Sequence, residues 1–249
     1  MRLAGARVLV TGASSGIGAA AAVELAGRGA KPLLAGRNST ALASLAARID
    51  GDWHAADLAE PGAARELAGW AASAGGVDVL VCNAGVGWAG PLVEMADDKI
   101  GELVAVNVAA PLRLTRELLP SMVHNGYGRL VFVSSIAGCL GVAEEAVYSA
   151  TKGALRVFAD SMRLELAGSG VGVSSVFPGV VDTAFFGRRG RPYDRQRPRP
   201  VAAETVAAAI GRAIERDRSE VFVPGWLRFP ARLHGALPAL VQTLERRFG

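Results

Sequence analysis

At 249 residues, half of them hydrophobic and a fifth charged, the chain is long enough for a large α/β core and too apolar for disorder. Its net charge of +4 is local: residues 188–199 hold six arginines and one aspartate, and the remainder sums to one negative charge, which excludes a general nucleic-acid surface. Neither a membrane span nor a secretory h-region is present, and Cys82, Cys139 and the three histidines lack metal-ligand spacing, so a metal-free cytoplasmic protein is expected.

Short apolar runs alternate with longer helical patterns. The first run, RVLVT at 7–11, leads into a glycine turn and a helix over 16–29. KPLLAG (31–36) precedes a helix over 38–49, and WHAAD (53–57) one over 60–74. VDVLVC (77–82) is followed by a long helical pattern over 97–120, and RLVFVSS (129–135) by one over 147–168. GVSSVF (172–177), a helix over 202–216 and EVFVP (220–224) complete the series. Continuous Val/Leu-rich strands alternating with helices predict a single α/β domain over 1–249: a doubly wound parallel sheet, or Rossmann fold, of about seven strands. The long piece over 182–200 carries no periodic pattern, and loops of that length are usually functional or mobile.

In the first turn, Gly12, Gly16 and Gly18 leave room for a phosphate to approach the backbone, with the helix N-terminus aimed at it. The same letters, Gly12-Ala13-Ser14-Ser15-Gly16, also read as the nucleophile elbow of an α/β-hydrolase, with Ser14 as nucleophile. That reading lacks an earlier strand for its oxyanion donor and a well-placed histidine. Where an NAD-binding unit usually carries an acid on the ribose, this chain has Gly36 followed by Arg37. A guanidinium pairs with a 2′-phosphate, so NADP(H) is expected over NAD(H).

Six fragments then fall in one order: TGASSGIG (11–18), CNAG (82–85), Asn107 in VNVAAP, Ser135 in VSSIAG, YSATK (148–152) and PGVVDT (178–183). In them the chain resembles the short-chain dehydrogenase/reductase family, over nearly its whole length. The resemblance implies hydride transfer between a nicotinamide cofactor and a carbonyl or secondary alcohol. Tyr148 and Lys152, four apart on a helix, share a face. Tyr148 becomes the general acid/base, with the ammonium of Lys152 favouring its phenolate. Ser135 polarises the substrate carbonyl; composition alone does not choose between it and Ser134, and the family's spacing selects Ser135. Asn107 is implied to distort its helix and hold a water connected to the lysine. For the cofactor, the implied contacts are the glycine turn with Ser14, Ser15 and Ile17, then Arg37, then Asp57 and Leu58 at the adenine. Asn83, Ala84 and Gly85 follow, with Pro178, Gly179, Val181 and Thr183 at the nicotinamide. Cys82 departs from the asparagine that the family often has there.

Substrate recognition is expected in 86–96, 139–146 and a substrate loop over 184–200. Trp88, Leu92, Leu140 and Val142 suggest an apolar mouth for a hydrophobic or acyl-type compound. The arginine run inside that loop reads as a lid whose charges either solubilise it or attract an anionic substrate group. The tail, 225–249, places Trp226, Phe229, Leu233, Leu237, Leu240, Leu244 and Phe248 at helical spacing, for packing on the domain or a partner subunit. A membrane-surface role is the lesser reading, because Pro230 and Pro238 break the stretch. A homodimer or homotetramer is implied, and a catalytically silent Rossmann-fold binding protein is the alternative.

Overall fold

Residues 1–194 and 198–236 are described by a computed structural model. Its central sheet is built from the apolar runs: β1 (Arg7–Thr11), β2 (Lys31–Gly36), β3 (Asp52–Ala55), β4 (Val79–Cys82), β5 (Gly128–Val133) and β6 (Val171–Pro178). A two-residue ladder, β7 (Val181–Asp182) with β8 (Val201–Ala202), stands apart, and β9 (Glu220–Val223) closes the main sheet. The seven strands run parallel in the order β3-β2-β1-β4-β5-β6-β9. Order reverses between β1 and β4, and the crevice outside their carboxyl ends is where such sheets bind ligands.

Successive strand residues point to opposite faces, and both faces are covered. Val8, Val10, Leu34, Val81 and Val131 pack under α1 (Gly16–Gly27), α2 (Ser39–Ile49) and α8 (Ala203–Glu215). Leu9, Leu33, Leu80, Leu130 and Phe132 pack under α3 (Ala63–Ser73), α5 (Ala110–Asn125) and α6 (Ala146–Glu165). Neighbouring residues Leu9 and Val10 thus belong to different cores, which is why the runs are apolar throughout and do not alternate.

Three expectations are corrected. The pattern over 97–120 is a continuous helical run from α4 (Asp97–Val104) to the end of α5, but residues 105–109 form a π-helical turn. The run passes Pro120 and ends at Gly126, whose φ of +63° suits only glycine without strain. The edge strand β3 begins one residue earlier than expected, and Asp57 lies beyond its end. Finally, 182–200 is not featureless: Val181 pairs with Val201, pinching the segment at its base, and α7 (Phe185–Arg188) adds one helical turn.

After β9, a 3-10 turn leads into α9 (Arg228–Ala236). Pro230 sits in its first turn, where a missing N–H breaks no helical bond, so it does not interrupt the stretch as expected. Trp226, Phe229 and Leu233 are exposed. Leu237, Pro238, Leu240, Leu244 and Phe248 lie outside the described residues, as do Arg195 and Arg197. Among the described residues, no helix is long and apolar enough to cross a membrane.

Candidate active site

A cleft of about 1030 Å³ opens at the carboxyl ends of the central strands. Its cofactor-sized end starts at the turn between β1 and α1. Gly12 has φ +68°, and a Cβ there would stand 2.9 Å from the Cα of Ala84 and from Asn83 Nδ2. Ser15 is the N-cap of α1, makes no side-chain cap, and no acid occupies the helix's first turn. The first turn's N–H groups therefore present positive charge to the cleft with no carboxylate beside them. Gly18 does not line the cleft; a Cβ there would stand 2.3 Å from the carbonyl oxygen of Gly12. Its expected place beside a phosphate is corrected to close packing of α1 on the turn.

Thr11, which sequence reasoning missed, ties β1 to β4. Its hydroxyl donates to the carbonyl of Val81 (3.3 Å) and accepts from the N–H groups of Asn83 and Ala84 (3.0 Å each). Asn83 Nδ2 donates back to the Thr11 carbonyl at 2.9 Å. A buried threonine directly before the glycine turn was the available signal.

At the far end of the cleft, Arg37 is 58% exposed, 3.7 Å from Asp57 and 4.0 Å from Glu102. Asp57 also accepts from the N–H of Ala59 at 3.0 Å. Glu102 and its ion-pair partner Lys99, both lining this end, were not foreseen. They arrive from α4, and no local pattern links them to the first two strands.

The other end of the cleft converges on α6. Tyr148 and Lys152 are buried on one face of it, with Nζ 5.8 Å from the centre of the Tyr148 ring. Lys152 Nζ donates to the carbonyl of Val133 at 3.0 Å. Burial lowers the Lys152 ammonium to about 8, and the Cys82 thiol, itself raised by burial, opposes that shift. Burial likewise pushes the Tyr148 hydroxyl above the usual phenol range; Glu145 adds to the rise, while a hydrogen bond with Ser135 and the charge of Arg189 oppose it. The two serines separate here. Ser134 donates to the Lys152 carbonyl at 2.8 Å, whereas Ser135 accepts from the Ala137 N–H at 3.1 Å and faces Tyr148.

Asn107 departs from expectation in one respect. It sits in the π turn, so its helix is distorted, and it is fully buried. Its side chain, however, is committed elsewhere: Nδ2 donates to the Val86 carbonyl (2.9 Å) and to Thr151 Oγ1 (3.1 Å), and Oδ1 accepts from the Val86 N–H (2.9 Å). Both Nδ2 protons are thus used, while Oδ1 keeps one lone pair. It does not line the cleft.

Of the expected cofactor residues, Ser14, Ser15, Gly16, Ile17, Leu58, Gly85, Pro178, Gly179, Val181 and Thr183 all line the cleft, as do Gly12, Arg37, Asp57, Asn83 and Ala84. The expected mouth is only half correct. Val142 lines the cleft, and Trp88 packs with Val142, Phe185 and Tyr148. Leu92 is exposed, and Leu140 packs against Cys139 and Phe177. The segment after β7 covers the mouth instead: the Phe185 ring lies 5.5 Å from that of Tyr148, and Phe186 lies between Phe185 and Tyr193. Arg188 donates to Ser15 Oγ at 3.2 Å, Arg189 pairs with Glu145, and Arg191 with Glu144. No histidine lines the cleft among the described residues, so Ser14 has no general base and the hydrolase reading falls.

The family model for short chain dehydrogenases matches residues 6–193. The chain belongs to the short-chain dehydrogenase/reductase family. It is therefore an NAD(P)-dependent oxidoreductase by family, with the sheet order and cleft just described. An uncharacterized oxidoreductase of Myxococcus xanthus is 35% identical over 238 residues, covering 92% of each chain. The ketoacyl reductase HetN of Nostoc is 35% identical over 233 residues, 89% of this chain and 79% of that one. Among solved structures, a short-chain dehydrogenase from Sphingobium yanoikuyae in complex with NADPH superposes with a TM-score of 0.84 at 29% identity, covering 95% of both chains.

Proposed function

We propose that this short-chain dehydrogenase uses NADP(H) to interconvert a carbonyl and a secondary alcohol on a hydrophobic or acyl-type substrate, with Tyr148 as general acid/base. The observation that carries the reading is the convergence of Tyr148, Ser135 and Lys152 at the floor of a cleft whose other end is a bare, positively polarised helix start. The residues fit the cofactor: the turn from Gly12 to Ile17 lines the cleft beside an uncapped helix start, where a pyrophosphate would lie, and Arg37 stands where a 2′-phosphate would reach.

When bound, the nicotinamide supplies the hydride for reduction or takes it up in oxidation. In reduction, the Tyr148 O–H bond breaks and its proton goes to the substrate oxygen, while the Ser135 hydroxyl orients that oxygen toward Tyr148. A buried phenol held well above pH 7 is in the protonated form this step needs. In oxidation the phenolate takes the alcohol proton, and the ammonium of Lys152 on the same helix face favours it. Phe185, Phe186 and Val142 give the substrate an apolar wall and exclude water. The ketoacyl reductase name of the Nostoc relative supports the acyl-type reading. Val157 and Leu164, exposed on α6, offer a second copy an apolar surface and support a homo-oligomer.

Consumption of NADPH and of NADH is to be measured against ketones and ketoacyl thioesters of increasing length, for the wild type and Arg37→Asp. We expect NADPH to be preferred, longer apolar substrates to turn over best, and Arg37→Asp to lose at least about tenfold more affinity for NADPH than for NADH. Equal losses for the two cofactors remove the 2′-phosphate role of Arg37. NADPH binding without turnover of any carbonyl favours the silent binding protein.

A further inference from the structure

The arginine run offered two readings, solubilising charge or attraction of an anionic substrate, and two of its arginines fit neither. Arg189 and Arg191 are matched one to one by Glu145 and Glu144. The two pairs differ in depth. Side chains of the inner pair retain 10% and 15% exposure, against 50% and 48% for the outer pair. A pair so far from water is little screened by salt. Arg189 is also fixed by its neighbours: its guanidinium lies 4.5 Å from the centre of the Phe186 ring, and its Nε donates to the Arg191 carbonyl at 3.2 Å. Its own carbonyl accepts from the Ala89 N–H at 3.2 Å.

Glu145 is the N-cap of α6, three residues before Tyr148, yet its carboxylate makes no cap bond. It turns to Arg189 instead. Among the described residues, the charged and polar groups that act on Tyr148 line the same cleft: Glu145 and Lys152 from α6, Ser135 just beyond β5, and Arg189 from the covering segment. Met95, Leu103, Val86 and Phe185 belong to the same apolar cluster as Tyr148. Proton donation leaves negative charge on the Tyr148 oxygen. A bare carboxylate nearby opposes that charge, and a guanidinium bound to the carboxylate cancels the opposition.

We propose that Arg189 and Glu145 are a positioning pair for proton transfer at Tyr148: Arg189, carried by the segment over the cleft, cancels the Glu145 carboxylate, so the hydroxyl exchanges its proton efficiently only while that segment is seated. Covering the substrate and tuning the acid/base are then one event. Lifting the segment exposes the substrate to water and, in the same movement, uncovers a carboxylate that slows the chemistry. Neither residue touches the substrate in this account; both act through Tyr148.

The proposal rests on Tyr148 as the acid/base, so its phenolate is to be titrated directly with NADP⁺ bound. Each protein is compared by phenolate absorbance with its own Tyr148→Phe counterpart. The pH profile of secondary-alcohol oxidation is recorded alongside. Arg189→Ala should move both the titration and the rising limb to higher pH by about one unit, roughly a tenfold loss of rate at a fixed pH on that limb. Glu145→Gln should move both to lower pH, the double variant should return to the parent, and Arg189→Lys should recover most of the shift. If both single variants raise KM while titration and limb stay in place, the pair only anchors the segment and the proposal fails. If Tyr148→Phe keeps parental turnover, the acid/base reading fails by itself, and the signs of the titration shifts still judge the pair.

Discussion

Lys152 shows how one residue carries both structure and chemistry. It is one of three lysines among 24 arginines, and it is buried against the Val133 carbonyl. Arginine would behave differently there, because it stays charged when buried whereas the lysine ammonium falls to about 8 and so titrates near neutral pH. The sign follows directly: below pH 8 the group is an ammonium able to favour the phenolate, and above it an amine that cannot. We therefore expect kcat/KM for NADPH, which reports the free enzyme, to fall as pH rises through about 8. A profile flat to pH 10 contradicts this. Residue-level chemistry was legible wherever spacing carries it: Tyr148 and Lys152 are one helical turn apart, and any helix puts them together. The Ser134/Ser135 choice was not legible in composition. The family's spacing selected Ser135, and the path of α6 past the end of β5 gives the Ser134 hydroxyl to the Lys152 carbonyl and the Ser135 hydroxyl to Tyr148.

Among the elements, α1 and the turn before it are packed to backbone contact. Gly12 lies against Ala84 and Asn83, and Gly18 against the Gly12 carbonyl, so strand, turn and helix approach to backbone contact. A methyl group at Gly18 would stand 2.3 Å from that carbonyl oxygen, which has no flexible end to move aside. Gly18→Ala should destabilise the protein by about 1–3 kcal/mol and weaken NADPH binding through displacement of the turn. Thermal melting and NADPH titration check this; an unchanged Tm removes the packing role. Elements with continuous apolar runs, such as β4 and β5, were legible because burial on both faces demands such runs. The β7–β8 ladder was not, because Val181 and Val201 are twenty residues apart and pair over only two positions. Nor was the π turn readable from helical spacing; it entered only through the family's use of Asn107.

At the scale of the molecule, the parallel sheet puts every strand's carboxyl end on one side, and the cleft collects residues from Gly12 to Pro198 there. The same topology explains what remained hidden. Glu102 reaches the Arg37 end, and Arg189 reaches Glu145, only because α4 and the segment after β7 return to that side. The net charge of +4 accordingly misleads as a guide to partners, since Arg189 and Arg191 are matched within the fold. What the whole arrangement is claimed to do is move a hydride with Tyr148 handling the proton. The most direct measurement is single-turnover NADPH oxidation by the wild type and Tyr148→Phe, with a carbonyl substrate that the wild type reduces and with NADPH affinity recorded for both. We predict near-equal NADPH affinity and a loss of turnover in the variant of at least about 100-fold, the scale of general acid catalysis. Equal turnover by the two proteins would contradict it.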